Sequence, residues 1–339
     1  MSKSGTPSPT GVARLISIEY ACHNMSGLWY NMQAPEYEQK ASKSIIHPFS
    51  VKGYGGLTIN PYQGCQHRCA YCYATYEWSP EFYDRIYAKS NAPEVLEREL
   101  ASWKGSRINP VMVSSATDAY QPAELRYGLT RRCIQVLQKY NVPYYVFTKS
   151  AVIERDLELH AGYSQNCFIV WSVTTCNEGI RRIVEPGTPP AARIFEAIEK
   201  FASAGVACGV NVDPIMPLVT DSDDELGAVV DACKNARVRY VFGAMLRLRT
   251  DIWDRMKSVL ALLGVENGAE QYKKIYGFEE PLSGSYVACD KDYGKQVTCR
   301  LGDMVRARGM SSGFPEHVGP REIDRSCTGQ KSILNYVAV

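Results

Sequence analysis

Three cysteines stand within eight residues of the chain, in the stretch Asn60-Pro-Tyr-Gln-Gly-Cys65-Gln-His-Arg-Cys69-Ala-Tyr-Cys72-Tyr73. Three thiolates on one short loop can hold three irons of a cubane cluster and leave the fourth iron without a protein ligand. The amino and carboxylate groups of S-adenosylmethionine (SAM) can chelate such an iron. An electron from the cluster then breaks a C–S bond and releases a 5′-deoxyadenosyl radical. The protein's task in such chemistry is to position the cofactor and exclude water. The competing reading is structural zinc, which takes four ligands, commonly as two separated pairs. His67 is a fourth donor for that reading, but it lies inside the loop with poor reach.

The composition fits this chemistry. The chain has 339 residues, 45% of them hydrophobic, a formal net charge of +2 and 12 cysteines. A near-balanced charge argues mildly against non-specific nucleic-acid binding, which needs a cationic surface. No run approaches the ~20 apolar residues of a membrane span, and the first residues lack the apolar core of a signal peptide. The expectation is a cytoplasmic protein with no membrane partner. There, tightly spaced cysteines favour a cluster or metal over disulfides.

The elements that must position this loop alternate. Strand-like runs occur at residues 57–60, 111–115, 144–148, 168–174, 206–212 and 240–244. Helical periodicity fills residues 124–140, 190–204 and 223–236, the last opened by Ser222 as cap. Repeated strand–helix alternation implies a parallel sheet with right-handed crossovers, whose ligands gather at the C-terminal strand ends. Three parts are expected: an irregular leader over residues 1–50, the alternating region over 51–262, and a C-terminal extension over 263–339. The extension reads as a cap or a substrate- or partner-binding element, irregular from residue 281 onward.

The triad, with NPYQGC…CAYCYA and TDAYQPAE around it, resembles the radical SAM superfamily, and within it the branch of spore photoproduct lyase and its uncharacterised relatives. The resemblance covers about residues 50–250. It implies an α/β fold, the partial (β/α)6 radical SAM barrel, with a [4Fe–4S] cluster and SAM as cofactors. It also implies a reducing partner such as a ferredoxin or flavodoxin. Thr117 and Asp118 match SAM-binding positions of the branch, Asp118 suiting the SAM ammonium. Lys149 matches a lysine suited to the SAM carboxylate, and Tyr73 matches the tyrosine directly after the last cluster cysteine, a catalytic position. Ser115 stands where the lyase carries its hydrogen-donor cysteine. A serine O–H is a poor hydrogen donor to a carbon radical, so an unidentified small-molecule or peptide substrate is expected ahead of nucleic-acid repair. A non-catalytic iron–sulfur or zinc protein is the remaining alternative.

Other strand ends supply further candidates. Ser172 and Thr174 alternate with Val173 and so face one way, within reach of the SAM ribose. In many superfamily members a Glu and an Arg after strand four lie beside SAM or substrate, and here Glu185 and Arg193 are the candidates. Turn chemistry, solvated charge and helix capping are the ordinary alternatives for these side chains. Arg247 and Arg249 can meet an anionic substrate group. Cys289, Cys299 and Cys327 are either free thiols or ligands of an auxiliary cluster. His23, His47, His160 and His317 are scattered singly and carry no assigned role.

Overall fold

The computed structural model describes residues 34–51, 54–77, 81–282 and 286–326. The first part of the expected leader and Cys327 lie outside them. The first strands are β1 (Glu36–Lys40), β2 (Ile46–Val51), β3 (Tyr54–Ile59), β4 (Tyr62–Gln63), β5 (Arg85–Lys89) and β6 (Arg107–Ile108). They are followed by β7 (Val111–Val113), β8 (Tyr144–Thr148), β9 (Cys167–Ser172), β10 (Cys208–Ile215) and β11 (Tyr240–Met245). Strands β3, β7, β8, β9, β10 and β11 pair in that order, all parallel, and β2 adds an antiparallel edge beside β3. This is the expected α/β partial barrel. Residues 34–51 depart from the irregular leader expected there. They contribute β1, which pairs with β5, and the edge strand β2.

One face of each barrel strand packs under the helices. Val111, Val113, Tyr144, Val146, Ile169, Trp171, Val210 and Val212 form a continuous core. Trp171 meets Phe201 of the helix Ala191–Ser203 edge-on at 5.3 Å. The helix Asp223–Asn235 begins as the sequence suggests, its cap Ser222 accepting from the Glu225 N–H at 3.2 Å. The helical run at 124–140 is two helices, Ala123–Tyr127 and Leu129–Lys139. Gly128 separates them at φ +60°, a left-handed conformation that glycine adopts without Cβ strain.

The opposite strand face lines the lumen, and the C-terminal segment floors it. Ser311 joins the start of β11, where its carbonyl accepts from Val241 N–H at 2.8 Å. Phe314 stacks on Phe242 at 4.7 Å and meets Phe168 and Tyr145 edge-on. Tyr145 Oη donates to the Val318 carbonyl at 2.9 Å. Three short strands complete the chain: β12 (Arg247–Leu248), β13 (Val287–Ala288) and β14 (Arg321–Glu322), the last paired with β6. Residues 310–323 therefore run across the N-terminal ends of β8, β9 and β11 and pack against them through aromatic and main-chain contacts. The extension also differs from its expected irregularity in holding the helix Lys291–Ala307, whose Val297, Leu301 and Val305 join the main core. No helix among the described residues is long and apolar enough to cross a membrane.

Candidate active site

The cysteine loop follows β3 and β4 at the C-terminal mouth of the barrel, the end where parallel strands gather ligands. Its entry, Gly64, has φ +86°, and a Cβ there would lie 2.4 Å from the Arg85 carbonyl. Backbone bonds then tie the loop down on several sides. Cys65 N–H donates to Phe82 O, Ala70 N–H to Val184 O and Gly187 N–H to His67 O. Thr117 Oγ1 donates to the Gly64 carbonyl at 2.6 Å, and Gln121 Oε1 accepts from Gln66 N–H at 3.1 Å. Gly187 sits so close that a Cβ on it would be 2.2 Å from Gln66 O.

Cys65 and Cys69 are buried and Cys72 is partly so; all three are free thiols. Burial pushes Cys65 up to about 12, with the charges of Asp118 and Cys72 adding to it and backbone N–H donors of His67 and Asp118 opposing it. Burial also raises Cys72, against N–H donors of Ala74 and Thr75 and the positive charge of Arg255. Cys69 is raised by burial too, with Lys149 opposing and Glu185, Cys72 and Cys65 adding. The three sulfurs thus lie within electrostatic reach of one another, and two of them receive backbone N–H groups. This donor set fits an iron–sulfur cluster, whose binding would displace the thiol protons. It does not fit zinc held with His67. That ring donates Nδ1–H to the Gly187 carbonyl at 3.0 Å, and its Nε2 stands 3.1 Å from Asp118 Oδ2. Among the described residues no three His, Cys, Asp or Glu side chains converge closely enough to hold a single ion.

Behind the loop lies a buried ionic network. Glu185 Oε1 accepts from Lys149 Nζ at 3.1 Å, from Thr174 Oγ1 at 2.7 Å and from the Tyr71 hydroxyl. Its Oε2 pairs with Arg181 at 3.0 Å. Burial alone would raise Glu185, but Lys149 and Arg181 outweigh it and bring its pKa down to about 2. Lys149 lies 5.3 Å above the Tyr71 ring, and Glu185 keeps its ammonium charged against burial. A buried charge cluster of this kind holds only when each member is paired and hydrogen-bonded.

The structure brings most of the expected residues together but changes several of their relations. Asp118 is at the site with both oxygens engaged, Oδ1 by Tyr120 N–H and Thr148 Oγ1, Oδ2 by Lys149 N–H and His67. Burial opposes its ionisation, yet His67 holds its pKa below the ordinary value. The carboxylate expected to meet the SAM ammonium is thus occupied by the chain itself. Thr174, expected at the ribose, lies past the end of β9 and is committed to Glu185. Ser172 is half-buried on the last residue of β9. Arg193 is outside the site. Its side chain is 40% exposed and pairs with Glu154 at 2.6 Å and Glu196 at 3.0 Å. Arg181, one helical turn before Glu185, is the arginine that lies there. Tyr73 is at the mouth, its hydroxyl donating to the Ser115 carbonyl. The Ser115 hydroxyl accepts from Thr58 Oγ1 at 3.0 Å and Asn60 Nδ2 at 3.3 Å.

Sequence reasoning also passed over Tyr71, Gly187 and Asp213. Asp213 falls where the β10–β11 register shifts, and it accepts from Asn211 Nδ2 at 3.2 Å. Burial raises its pKa against the charges of Lys149 and Arg247. Arg247 and Arg249 both lie over the Tyr286 ring, at 5.2 and 4.6 Å. Cys289 and Cys299 are free thiols, the latter exposed.

The family model described as "Radical SAM superfamily" matches residues 59–233. An uncharacterised protein of Mycobacterium tuberculosis is 35% identical over 247 residues, covering 67% of this chain and 72% of that protein. An uncharacterised protein of Methanocaldococcus jannaschii is 25% identical over 190 residues, 55% of this chain and 70% of its own length. Among solved structures, a spore photoproduct lyase complexed with dinucleoside spore photoproduct superposes with a TM-score of 0.63 at 13% identity, over 92% of this chain and 87% of the lyase. At that identity the likeness speaks for the fold.

Proposed function

The chain belongs to the radical SAM superfamily and is an enzyme of that class, and we propose that Cys65, Cys69 and Cys72 hold a [4Fe–4S] cluster for reductive cleavage of SAM. The observation that carries this reading is the three-thiol loop itself, tied by backbone bonds to the mouth of a parallel barrel. The bound cluster and SAM would together supply a 5′-deoxyadenosyl radical able to abstract hydrogen from a substrate. The chain's own residues do the rest. Lys149, held charged by Glu185, is the cation available to the SAM carboxylate. Thr117 and Asp118 act one step back, Thr117 by anchoring Gly64 and Asp118 by fixing His67 and the Lys149 backbone. Ser172, half-buried at the end of β9, is the residue we assign to a ribose hydroxyl. Phe314 and its ring partners pack across the opposite end of the barrel, and we assign substrate entry to the mouth beside Tyr73.

The substrate class we favour is a small molecule or a peptide. Ser115 offers no thiol hydrogen where the lyase branch has one, and the net charge of +2 gives little general attraction for a polyanion. A nucleic-acid substrate with another hydrogen donor would show binding that falls steeply with salt. The test is anaerobic: reconstitute with iron and sulfide, reduce, add SAM and assay 5′-deoxyadenosine. Wild-type protein should form it, and Cys65→Ala, Cys69→Ala and Cys72→Ala should not. Full product from any of these variants would sink the assignment. A well-formed cluster that leaves SAM unbound would instead sink the assignment of the SAM contacts while leaving the cluster ligands standing. An external one-electron reductant, of the ferredoxin or flavodoxin kind, is required in either assay or cell.

A further inference from the structure

Arg255 lies in the helix Thr250–Leu262, beyond the residues matched by the family model, and it reaches back across the sequence to the cysteine loop. Its Nε donates to the Ala70 carbonyl at 2.6 Å and its Nη2 to the Cys72 carbonyl at 2.9 Å. The same Nη2 approaches Thr75 Oγ1 at 3.1 Å and Asp251 Oδ2 at 3.2 Å. Thr75 Oγ1 in turn donates to Cys72 O and Asp251 Oδ2. One planar guanidinium therefore spans the two carbonyls that bracket Tyr71 and end at the third cysteine. A lysine, with a single point charge, cannot reproduce that fork.

We propose that Arg255 is a positioning residue for the Cys72 arm of the cluster site and that its fixed positive charge raises the cluster's reduction potential. This rests on the cluster reading above. Two effects follow from the geometry. The fork fixes the Ala70 carbonyl and the carbonyl of Cys72 itself, on either side of Tyr71, so the third thiolate is presented in one place before any metal arrives. The charge favours the more negative, reduced cluster, because net local charge and burial are among the quantities that set such potentials. Asp251 offsets part of that charge. Arg255 alone of the two donates directly to the loop carbonyls, so its charge is the one held against the cluster site. The helix that carries Arg255 is itself anchored. Ile252, Trp253, Met256, Val259 and Leu260 are buried in a cluster that also contains Cys69, Ala70 and Tyr71.

The test compares wild type, Arg255→Gln and Arg255→Lys after anaerobic reconstitution, by iron content and by a redox titration followed by electron paramagnetic resonance. Arg255→Gln should bind less iron, and the cluster it does hold should show a midpoint shifted to more negative potential. Arg255→Lys should return the midpoint toward wild type while still binding less iron, because it restores charge without the fork. Wild-type iron content and midpoint in Arg255→Gln would overturn the inference. If Arg255→Gln does not fold, Arg255→Lys decides. There, reduced iron content at a near-wild-type midpoint supports the inference, and unchanged iron content overturns it. A wild-type protein that takes up no cluster would instead defeat the underlying reading, so the two failures are distinguishable.

Discussion

Replacing Gly187 with alanine tests whether the cluster loop is held as tightly as its contacts imply. The new Cβ would lie 2.2 Å from Gln66 O, 2.8 Å from His67 Cα and 3.0 Å from His67 C. All three are backbone atoms, so no rotamer change relieves the overlap. Ordinary contact would require the loop to withdraw by about 1 Å, as expected for overpacking of a tight interior. That withdrawal strains two hydrogen bonds, Gly187 N–H to His67 O and His67 Nδ1–H to Gly187 O, both 3.0 Å. At ~1 kcal/mol net per bond and ~1–3 kcal/mol for overpacking, the cost is ~3–5 kcal/mol. Urea unfolding of the metal-free protein measures it, and iron content after reconstitution reports whether Cys65 and Cys69 still lie in register. Gly128→Ala is the control. Its Cβ meets nothing within 4 Å, so only the left-handed backbone is penalised, by ~1–2 kcal/mol, with iron uptake unaffected. A Gly187→Ala protein with wild-type stability and full iron content would refute the argument.

Three further outcomes follow from the same site and core. Lys149→Met should weaken SAM binding while leaving the cluster's absorption spectrum intact, and unchanged SAM affinity would remove Lys149 from the SAM site. Glu185 has a folded pKa of about 2 against an ordinary 4.5. The stability it contributes is therefore present above pH ~4.5 and is lost as pH falls toward 2, on the order of a few kcal/mol. Acid unfolding followed by circular dichroism should lose that limb in Glu185→Gln, and an identical acid profile would contradict the network. His160 is lowered by burial to about 4, where Tyr120 and Tyr144 hydroxyls meet its two ring nitrogens at 2.9 and 3.1 Å. The unfolded chain takes up its proton first, so stability should fall as pH drops from ~6.5 to 4. His160→Gln should flatten that window in urea melts, and a persistent slope would assign it to other groups.

The class of fold and the superfamily were legible in the sequence alone, and the cluster chemistry proposed above rests on the same short stretch. The spacing of Cys65, Cys69 and Cys72 is a local property, because the three thiols need only one short loop to meet. The barrel strands were legible for the same reason, since β-rich runs and helix periodicity repeat along the chain. Residues 144–148 and the Ser222 cap stand where the local pattern puts them. What depends on distant segments was decided only by tertiary structure. Arg181 and Arg193 are both arginines near Glu185 in sequence, and nothing local separates them. The helix Glu178–Val184 turns Arg181 inward, whereas Arg193 lies on the exposed side of the next helix. Asp118 carries a turn-like sequence, yet folding surrounds it with His67, Thr148 and Lys149. Gly187, Arg255 and the Phe314 floor act on residues about 70 to 185 positions away, as expected for contacts whose loop-closure entropy only the completed fold can offset. No periodicity marks such contacts, because the sequence records which groups are available and the packed barrel decides which of them meet.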